Sequence, residues 1–181
     1  RGPKVKKAVH GLLKRDGLIL GVCNGFQALI KVGLVPYGEI VDMRSDSPTL
    51  TFNNIGRHVS TLVRTRISSN ASPWLAMTTL GDIHTVAVSH GEGRFAATEE
   101  EAKRLLENGQ IAMQYVDENG IPTMGKDNPN GSLYAVEGLL SPCGKVLRKM
   151  ANSERNTANT GINVPGEKDQ HIDDGGVQYF L

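Results

Sequence analysis

The feature that most constrains this chain is an apolar run that leads directly into a glycine-flanked turn and then into a helix. Residues 18–22 are apolar without alternation, the pattern of a strand buried on both faces. Cys23 follows between Gly21 and Gly25, and the apolar spacing of residues 26–32 predicts a helix. A strand that enters a helix through one residue is typical of a nucleophile elbow, whose close packing both glycines are expected to permit. The pattern indicates a layered α/β fold with this strand as an interior, parallel one.

The rest of the chain adds strands and helices around this unit. Helices are predicted at residues 4–14 and 99–108, the second with Thr98 as its N-cap and Glu101 as its capping-box partner. Apolar and β-branched runs predict strands at residues 59–67, 85–89, 111–116, 133–139 and 145–150. The last two flank a hairpin turn at residues 141–144. We expect one domain over residues 1–181, with residues 155–181 as a C-terminal loop and short helix.

Composition and charge exclude several classes of protein. The hydrophobic fraction of 39% and the charged fraction of 22% are those of an ordinary globular protein. A net charge of +1, with dispersed Lys and Arg, argues against nucleic-acid binding, and the apolar runs are too short to cross a membrane. The two cysteines, Cys23 and Cys143, are too few for a disulfide framework, which favours a cytoplasmic location. The histidines lack metal-ligand spacing, so no metal site is expected.

Cys23 is placed where a thiol can act as a nucleophile. The N-terminus of the following helix offers partial positive charge and unpaired N–H groups, which favour the thiolate. The thiolate is the reactive form, and an ordinary thiol is only a few per cent ionised at neutral pH. A buried cysteine acting as a small hydrophobic residue at a βα turn is the alternative.

The segment Gly21-Val22-Cys23-Asn24-Gly25-Phe26-Gln27 closely resembles the cysteine turn of class I glutamine amidotransferases. Three further segments are similar to the phosphoribosylformylglycinamidine synthase branch of that family. They are Ser89-His90-Gly91-Glu92-Gly93-Arg94-Phe95, residues 128–132 (Asn-Pro-Asn-Gly-Ser) and residues 165–169 (Pro-Gly-Glu-Lys-Asp). The resemblance implies a mostly parallel, flavodoxin-like sheet of the class I amidotransferase type.

The resemblance also implies a reaction and its residues. Cys23 would attack the side-chain amide of glutamine, form a γ-glutamyl thioester and release ammonia to a synthetase domain, fused or separate. The residues that would contact the glutamine are Asn24, Gln27, Ser89, His90 and Gly91. ATP and magnesium would belong to the synthetase domain, and no cofactor is expected in this one.

The chain departs from the family at the general base. The family has a His-x-Glu step late in the sequence, and here Glu154 matches the carboxylate while Asn152 stands in place of the histidine and Ala151 in place of a glycine. An amide carries no basic lone pair near neutral pH, so Asn152 cannot accept the thiol proton. Natural degeneration, an introduced or erroneous substitution, and His90 acting as a substitute base are the three explanations.

A second departure lies at the start of the chain. Nothing before Gly17 resembles the glycine-rich loop that supplies part of the family's oxyanion hole, so an N-terminally incomplete domain is expected. Three functions are therefore considered. They are a glutaminase domain, a non-catalytic module that retains the fold, and a flavodoxin-like binding domain unrelated to glutamine.

Overall fold

A computed structural model describes residues 2–155 of the chain. Helices and strands are mixed along these residues, with three short 3₁₀ turns between them. The α-helices are α1 (Pro3–Lys14), α2 (Asn24–Lys31), α3 (Leu34–Tyr37) and α4 (Glu99–Glu107). The strands are β1 (Ile19–Val22), β2 (Thr49–Thr51), β3 (Val59–Ile67), β4 (Ile83–His90), β5 (Arg94–Ala96), β6 (Ile111–Tyr115), β7 (Val136–Leu140) and β8 (Val146–Lys149).

Six of these strands form one sheet, in the order β1-β8-β7-β6-β3-β4, and β2 pairs with β5 separately. β1 is parallel to β8, with Ile19 opposite Val146 and Val22 opposite Lys149. The carboxyl ends of these two strands therefore lie side by side, which brings Cys23 close to the segment that follows Lys149. The α/β fold class predicted from the sequence is confirmed.

The other strand directions differ from the mostly parallel sheet that was expected. The pairs β8–β7, β7–β6, β6–β3 and β3–β4 are antiparallel. Short connections explain part of this, because residues 141–145 join β7 directly to β8 and only antiparallel neighbours can be joined by a tight turn. β1 is also at the edge of the described sheet and not in its interior.

The core lies on both faces of this mixed sheet. Phe26 and Ile30 of α2 are fully buried, one helical turn apart, against Leu139 and Val146 of the sheet. Successive side chains on a strand point to opposite faces, so Leu147 belongs to a second cluster on the other side. Burial on both faces accounts for the continuous burial of β6, β7 and β8.

Most sequence-predicted elements are confirmed, with two local differences. Thr98 is the N-cap of α4, and its Oγ1 accepts a hydrogen bond from the N–H of Glu101 at 3.2 Å. The Glu101 carboxylate bonds Arg104 at 2.6 Å and not the N–H of Thr98, so its predicted role as capping-box partner is wrong. Residues 133–135 form a 3₁₀ turn in place of the first part of a strand, because Tyr134 and Ala135 have φ angles of 53° and 55°. Residues 156–181, where a loop and short helix are predicted, lie outside the described residues.

Candidate active site

Cys23 forms a strained turn at the carboxyl end of β1. Its φ and ψ angles are 50° and −107°, a conformation that costs a non-glycine residue about 1–3 kcal/mol. The Cys23 N–H donates to the carbonyl of Lys149 at 2.9 Å, which holds the turn against β8. The nucleophile-elbow geometry predicted from the sequence is confirmed. Strain of this kind is concentrated at functional sites.

The two glycines beside Cys23 are not equivalent. A Cβ on Gly21 would lie 2.6 Å from Cδ1 of Leu29 and 2.9 Å from the carbonyl oxygen of Gly25. The absence of a side chain at Gly21 is therefore what allows β1 to approach α2. A Cβ on Gly25 would meet no atom within 4 Å, so the expectation that close packing requires both glycines is wrong for Gly25.

The Cys23 thiol is half-buried and faces the end of β4. Its Sγ lies 3.8 Å from the carbonyl oxygen of Ser89, to which the thiol donates. The thiol also precedes the first residue of α2, beside the free N–H groups of the helix N-terminus. Two of the sequence-predicted residues, separated by 66 positions, are thus in contact.

Asn152 lies, like Cys23, against the carboxyl-terminal part of β4. Its backbone N–H donates to the carbonyl of Ala87 at 2.8 Å, and its side-chain Nδ2 donates to Oε1 of Glu154 at 2.8 Å. Asn152 is 6% exposed, and its Oδ1 has no hydrogen-bond partner among the described residues. Glu154 therefore orients the residue at position 152, but an amide there has no site for a transferable proton.

The predicted glutamine-binding loop packs against α2 and β3. Gln27 donates from Nε2 to the carbonyl of Glu92 at 2.6 Å, so its side chain joins the helix to this loop. Ser89 bonds through Oγ to Nε2 of His58 at 3.0 Å. His58 is a residue that sequence reasoning dismissed as one of several scattered histidines, and only the pairing of β3 with β4 brings it to the site.

Asn53 holds the loop at residues 90–93 through several hydrogen bonds. Its Nδ2 donates to the carbonyl of His90 at 2.8 Å, and its Oδ1 accepts from Gly93 N–H at 3.2 Å. The His90 Nδ1 lies 3.1 Å from Asn53 Oδ1, which makes Nδ1 the protonated ring nitrogen. Asn53 also donates its own N–H to the carbonyl of Gly91. Sequence reasoning missed Asn53 because it lies in a polar stretch remote from the recognised motifs.

His90 is held in a neutral form. Burial, with a smaller contribution from the nearby His58, lowers the pKa of His90 to about 4. The side chain is 4% exposed, and Nε2 has no hydrogen-bond partner among the described residues. A base with so low a pKa accepts a proton weakly at neutral pH, which argues against His90 as a substitute for the histidine absent at position 152.

A buried ion pair supports the turn that carries Asn152 and Glu154. Glu137 and Lys149 are 0% and 1% exposed, and their charged groups lie 3.8 Å apart. Glu137 accepts the N–H of Ala151 at 2.7 Å, and Lys149 donates to the hydroxyl of Ser153. Burial raises the pKa of Glu137, whereas Lys149 and the backbone N–H groups of Ala151 and Met150 act to lower it. The pair fixes the backbone on both sides of position 152.

The remaining candidates contribute less to this arrangement. Asn24 is exposed at the start of α2, and Cys143 is exposed on the turn before β8, away from Cys23. Within residues 2–155, no group of three His, Cys, Asp or Glu side chains is placed to hold a metal ion. None of the helices described here is long and apolar enough to cross a membrane.

Comparison with known proteins identifies relatives of this arrangement. Phosphoribosylformylglycinamidine synthase subunit PurQ of Salinibacter ruber is 35% identical over 139 residues, which cover 77% of this chain and 54% of the relative. The subunit of the same name from Gloeobacter violaceus is 36% identical over 152 residues, covering 83% and 60%. The solved structure of PurLQS from Thermotoga maritima matches 84% of this chain and 58% of that one, with a TM-score of 0.63 and 24% identity. At this level of identity the match shows a shared fold.

The family itself is defined by a broader match. The chain spans 54% to 60% of the length of the two PurQ relatives. The sequence profile of the CobB/CobQ-like glutamine amidotransferase domain, in contrast, matches residues 1–180. This range includes the elbow at Cys23 and the loop that packs against it, and the chain belongs to the CobB/CobQ-like glutamine amidotransferase family.

Proposed function

We propose that this chain is the glutaminase part of a phosphoribosylformylglycinamidine synthase, which supplies ammonia for an ATP-dependent amidation in de novo purine biosynthesis. The observation that carries the proposal is the strained turn at Cys23, with its thiol at a helix N-terminus and 3.8 Å from Ser89. The names of the PurQ relatives support the choice of synthase.

The proposed reaction begins with attack of the Cys23 thiolate on the side-chain amide carbon of glutamine. The carbonyl oxygen then carries negative charge, which backbone N–H groups at the start of α2 would stabilise. Collapse of this intermediate breaks the C–N bond, and the leaving nitrogen takes a proton to depart as ammonia. Water then hydrolyses the thioester to glutamate and regenerates the thiol.

The glutamine would lie between Cys23 and the loop that follows β4. Ser89, His90 and Gly91 would line that side, and Asn24, which is exposed at the start of α2, would lie at the opening. Gln27 is tied to Glu92 and would position the loop around the substrate. ATP and magnesium would act in the synthetase partner, and a cytoplasmic location suits a domain that depends on a free thiol.

Position 152 limits the reaction in this chain. A histidine at this place would accept the Cys23 proton and return it to the leaving nitrogen, with Glu154 orienting its ring. Asn152 keeps the bond to Glu154 at 2.8 Å but transfers no proton. The expected glutaminase activity of the chain is therefore very low.

The test is glutamate release from glutamine by the protein and by its Asn152→His variant, each with a synthetase of the family present. We expect the variant to be faster by about 10⁴-fold or more, because loss of one member of such a catalytic unit costs about that much. Its rate should depend on a group with a pKa near 6.5, about the value of an unperturbed histidine. Asn152→His combined with Cys23→Ser is the control and should be inactive.

Equal activity in the protein and in Asn152→His would show that the base lies elsewhere, and His90 would be the next residue to replace. Absence of activity in both proteins would favour the second candidate function, a non-catalytic module that keeps the fold and the docking surface of the family. The observation in favour of that candidate is Asn152 itself, held in the place of the base by Glu154.

A further inference from the structure

We propose that a cleft beside the first half of β3 binds a small metabolite that carries a phosphate or carboxylate group. The cleft has a volume of about 260 Å³. The side chains that matter for the proposal are Arg64, Thr85, Lys126 and Asp127. The volume is slightly below the range of about 300–1,000 Å³ found for drug-sized ligands, which suits a small metabolite.

The cleft exists because β3 extends beyond the end of its neighbour β6. β3 pairs with β6 only from Thr65 to Ile67, although the strand begins at Val59. The chain leaves β6 with Val116 donating to the carbonyl of Arg64 at 3.0 Å, and it then returns across the uncovered edge at residues 126–129. A concave site thus forms between a strand held in the sheet and a loop.

Two cations, Arg64 and Lys126, line this cleft. Among residues 2–155, neither Arg64 nor Lys126 has a carboxylate within ion-pair distance. The Nε of Arg64 is removed from solvent and has no hydrogen-bond partner in the described part of the chain. An arginine in this state lacks an acceptor that a carboxylate or phosphate oxygen would supply, and the planar guanidinium matches both groups.

The other polar groups define the class of ligand. Thr85 lies directly opposite Arg64 in the sheet, so its side chain is on the same side of the strands. Asp127 adds a negative charge to the rim, which disfavours a long polyanion such as nucleic acid and favours a ligand with a hydroxyl or amine group beside its anionic group. The lining therefore fits one oxyanion and one donor.

The cleft is separate from the proposed glutamine site. Thr85 precedes Ser89 by four positions on β4, a distance of about 13 Å along an extended strand. Ser89 contacts Cys23, whereas none of the cleft residues named here belongs to the catalytic turn. The proposal consequently does not rest on glutaminase activity, and each can fail without the other.

The test is titration calorimetry of the protein with inorganic phosphate, glycerol 3-phosphate and succinate, at constant ionic strength adjusted with sodium chloride. We expect saturable binding of at least one probe, weakened about tenfold or more by Arg64→Met and by Lys126→Met, since each removes a charge-assisted hydrogen bond. Lys103→Met, which removes an exposed lysine from α4, is the matched control and should bind as the parent does. Binding of phosphates alone or of succinate alone would identify the source of the oxyanion.

Thermal unfolding of each variant checks that it folds. If Arg64→Met does not fold, Arg64→Lys replaces it, because lysine keeps the charge but loses the planar fork and should still weaken binding. The proposal is overturned if no probe binds at millimolar concentration. It is equally overturned if binding persists unchanged in Lys126→Met and in the folded Arg64 variant.

Discussion

Replacing Arg148 with methionine is expected to stabilise the folded domain. Arg148 lies on β8 with no exposed surface, and none of its three guanidinium nitrogens has a hydrogen-bond partner among the described residues. Burial lowers the pKa of this arginine well below its ordinary value, because the charged form is deprived of water. One favourable contact is present, since the guanidinium carbon lies 4.6 Å from the centre of the Phe26 ring.

The magnitude follows from three opposing contributions. Removing a charged group from water costs several kcal/mol in a relaxed protein, taken here as about 5 kcal/mol. The contact with Phe26 recovers about 2 kcal/mol of this, since a desolvated cation–π interaction is a strong one. Methionine follows the path of the arginine stem but leaves a small void that costs about 1 kcal/mol. The expected gain in the free energy of unfolding is about 2 kcal/mol, or about 4–8 °C in Tm for a domain of this size.

The assay is equilibrium unfolding in urea, with Lys149→Met as the matched control on the next residue of β8. Lys149 is as deeply buried, but it is paired with Glu137 and bonded to Ser153. Its removal leaves a carboxylate alone in the core and should cost about 3–5 kcal/mol. The two substitutions are thus expected to have opposite signs. A loss of stability in Arg148→Met would refute the reasoning, because it would mean that the guanidinium has an acceptor.

Two further predictions follow from the geometry around Cys23. Gly21→Ala should destabilise the domain by about 1–3 kcal/mol in urea unfolding, because its Cβ would lie 2.9 Å from backbone atoms of Gly25. Gly25→Ala should be neutral or stabilising, because its Cβ would meet no atom within 4 Å. Equal losses of stability in both variants would contradict the packing argument. Burial lowers the pKa of His90 to about 4 in the folded domain, against about 6.5 in the unfolded chain. Between these two pH values the unfolded chain binds more protons than the folded domain. The stability conferred by neutral His90 is therefore present above pH 6.5 and lost as the pH falls to 4. His90→Asn keeps the donor to Asn53 and should reduce the loss of unfolding free energy between pH 7 and pH 4 by about 2–3 kcal/mol; an identical loss in this variant would assign the acid sensitivity to other groups.

The sequence by itself determined the local features of this protein. The apolar run before Cys23 and the glycine at position 21 predict a strand, a strained turn and a helix, because each depends on neighbours within a few residues. Thr98 predicts the start of α4 for the same reason, since a capping side chain bonds an N–H three positions later. The family could also be recognised, since its motifs are short and contiguous.

Tertiary structure decided what depends on residues far apart in the chain. Strand directions were predicted only in part, because the sequence shows where β-structure forms and not which strand lies beside it. Asn53 reaches His90 across 37 positions, a contact that no local pattern predicts. Arg148 and Lys149 would be read from sequence as a charged strand end exposed to water. Both side chains are buried because helices and loops cover the two faces of the sheet. Lys149 is paired with Glu137 on the neighbouring strand, whereas the guanidinium of Arg148 has no hydrogen-bond partner in residues 2–155.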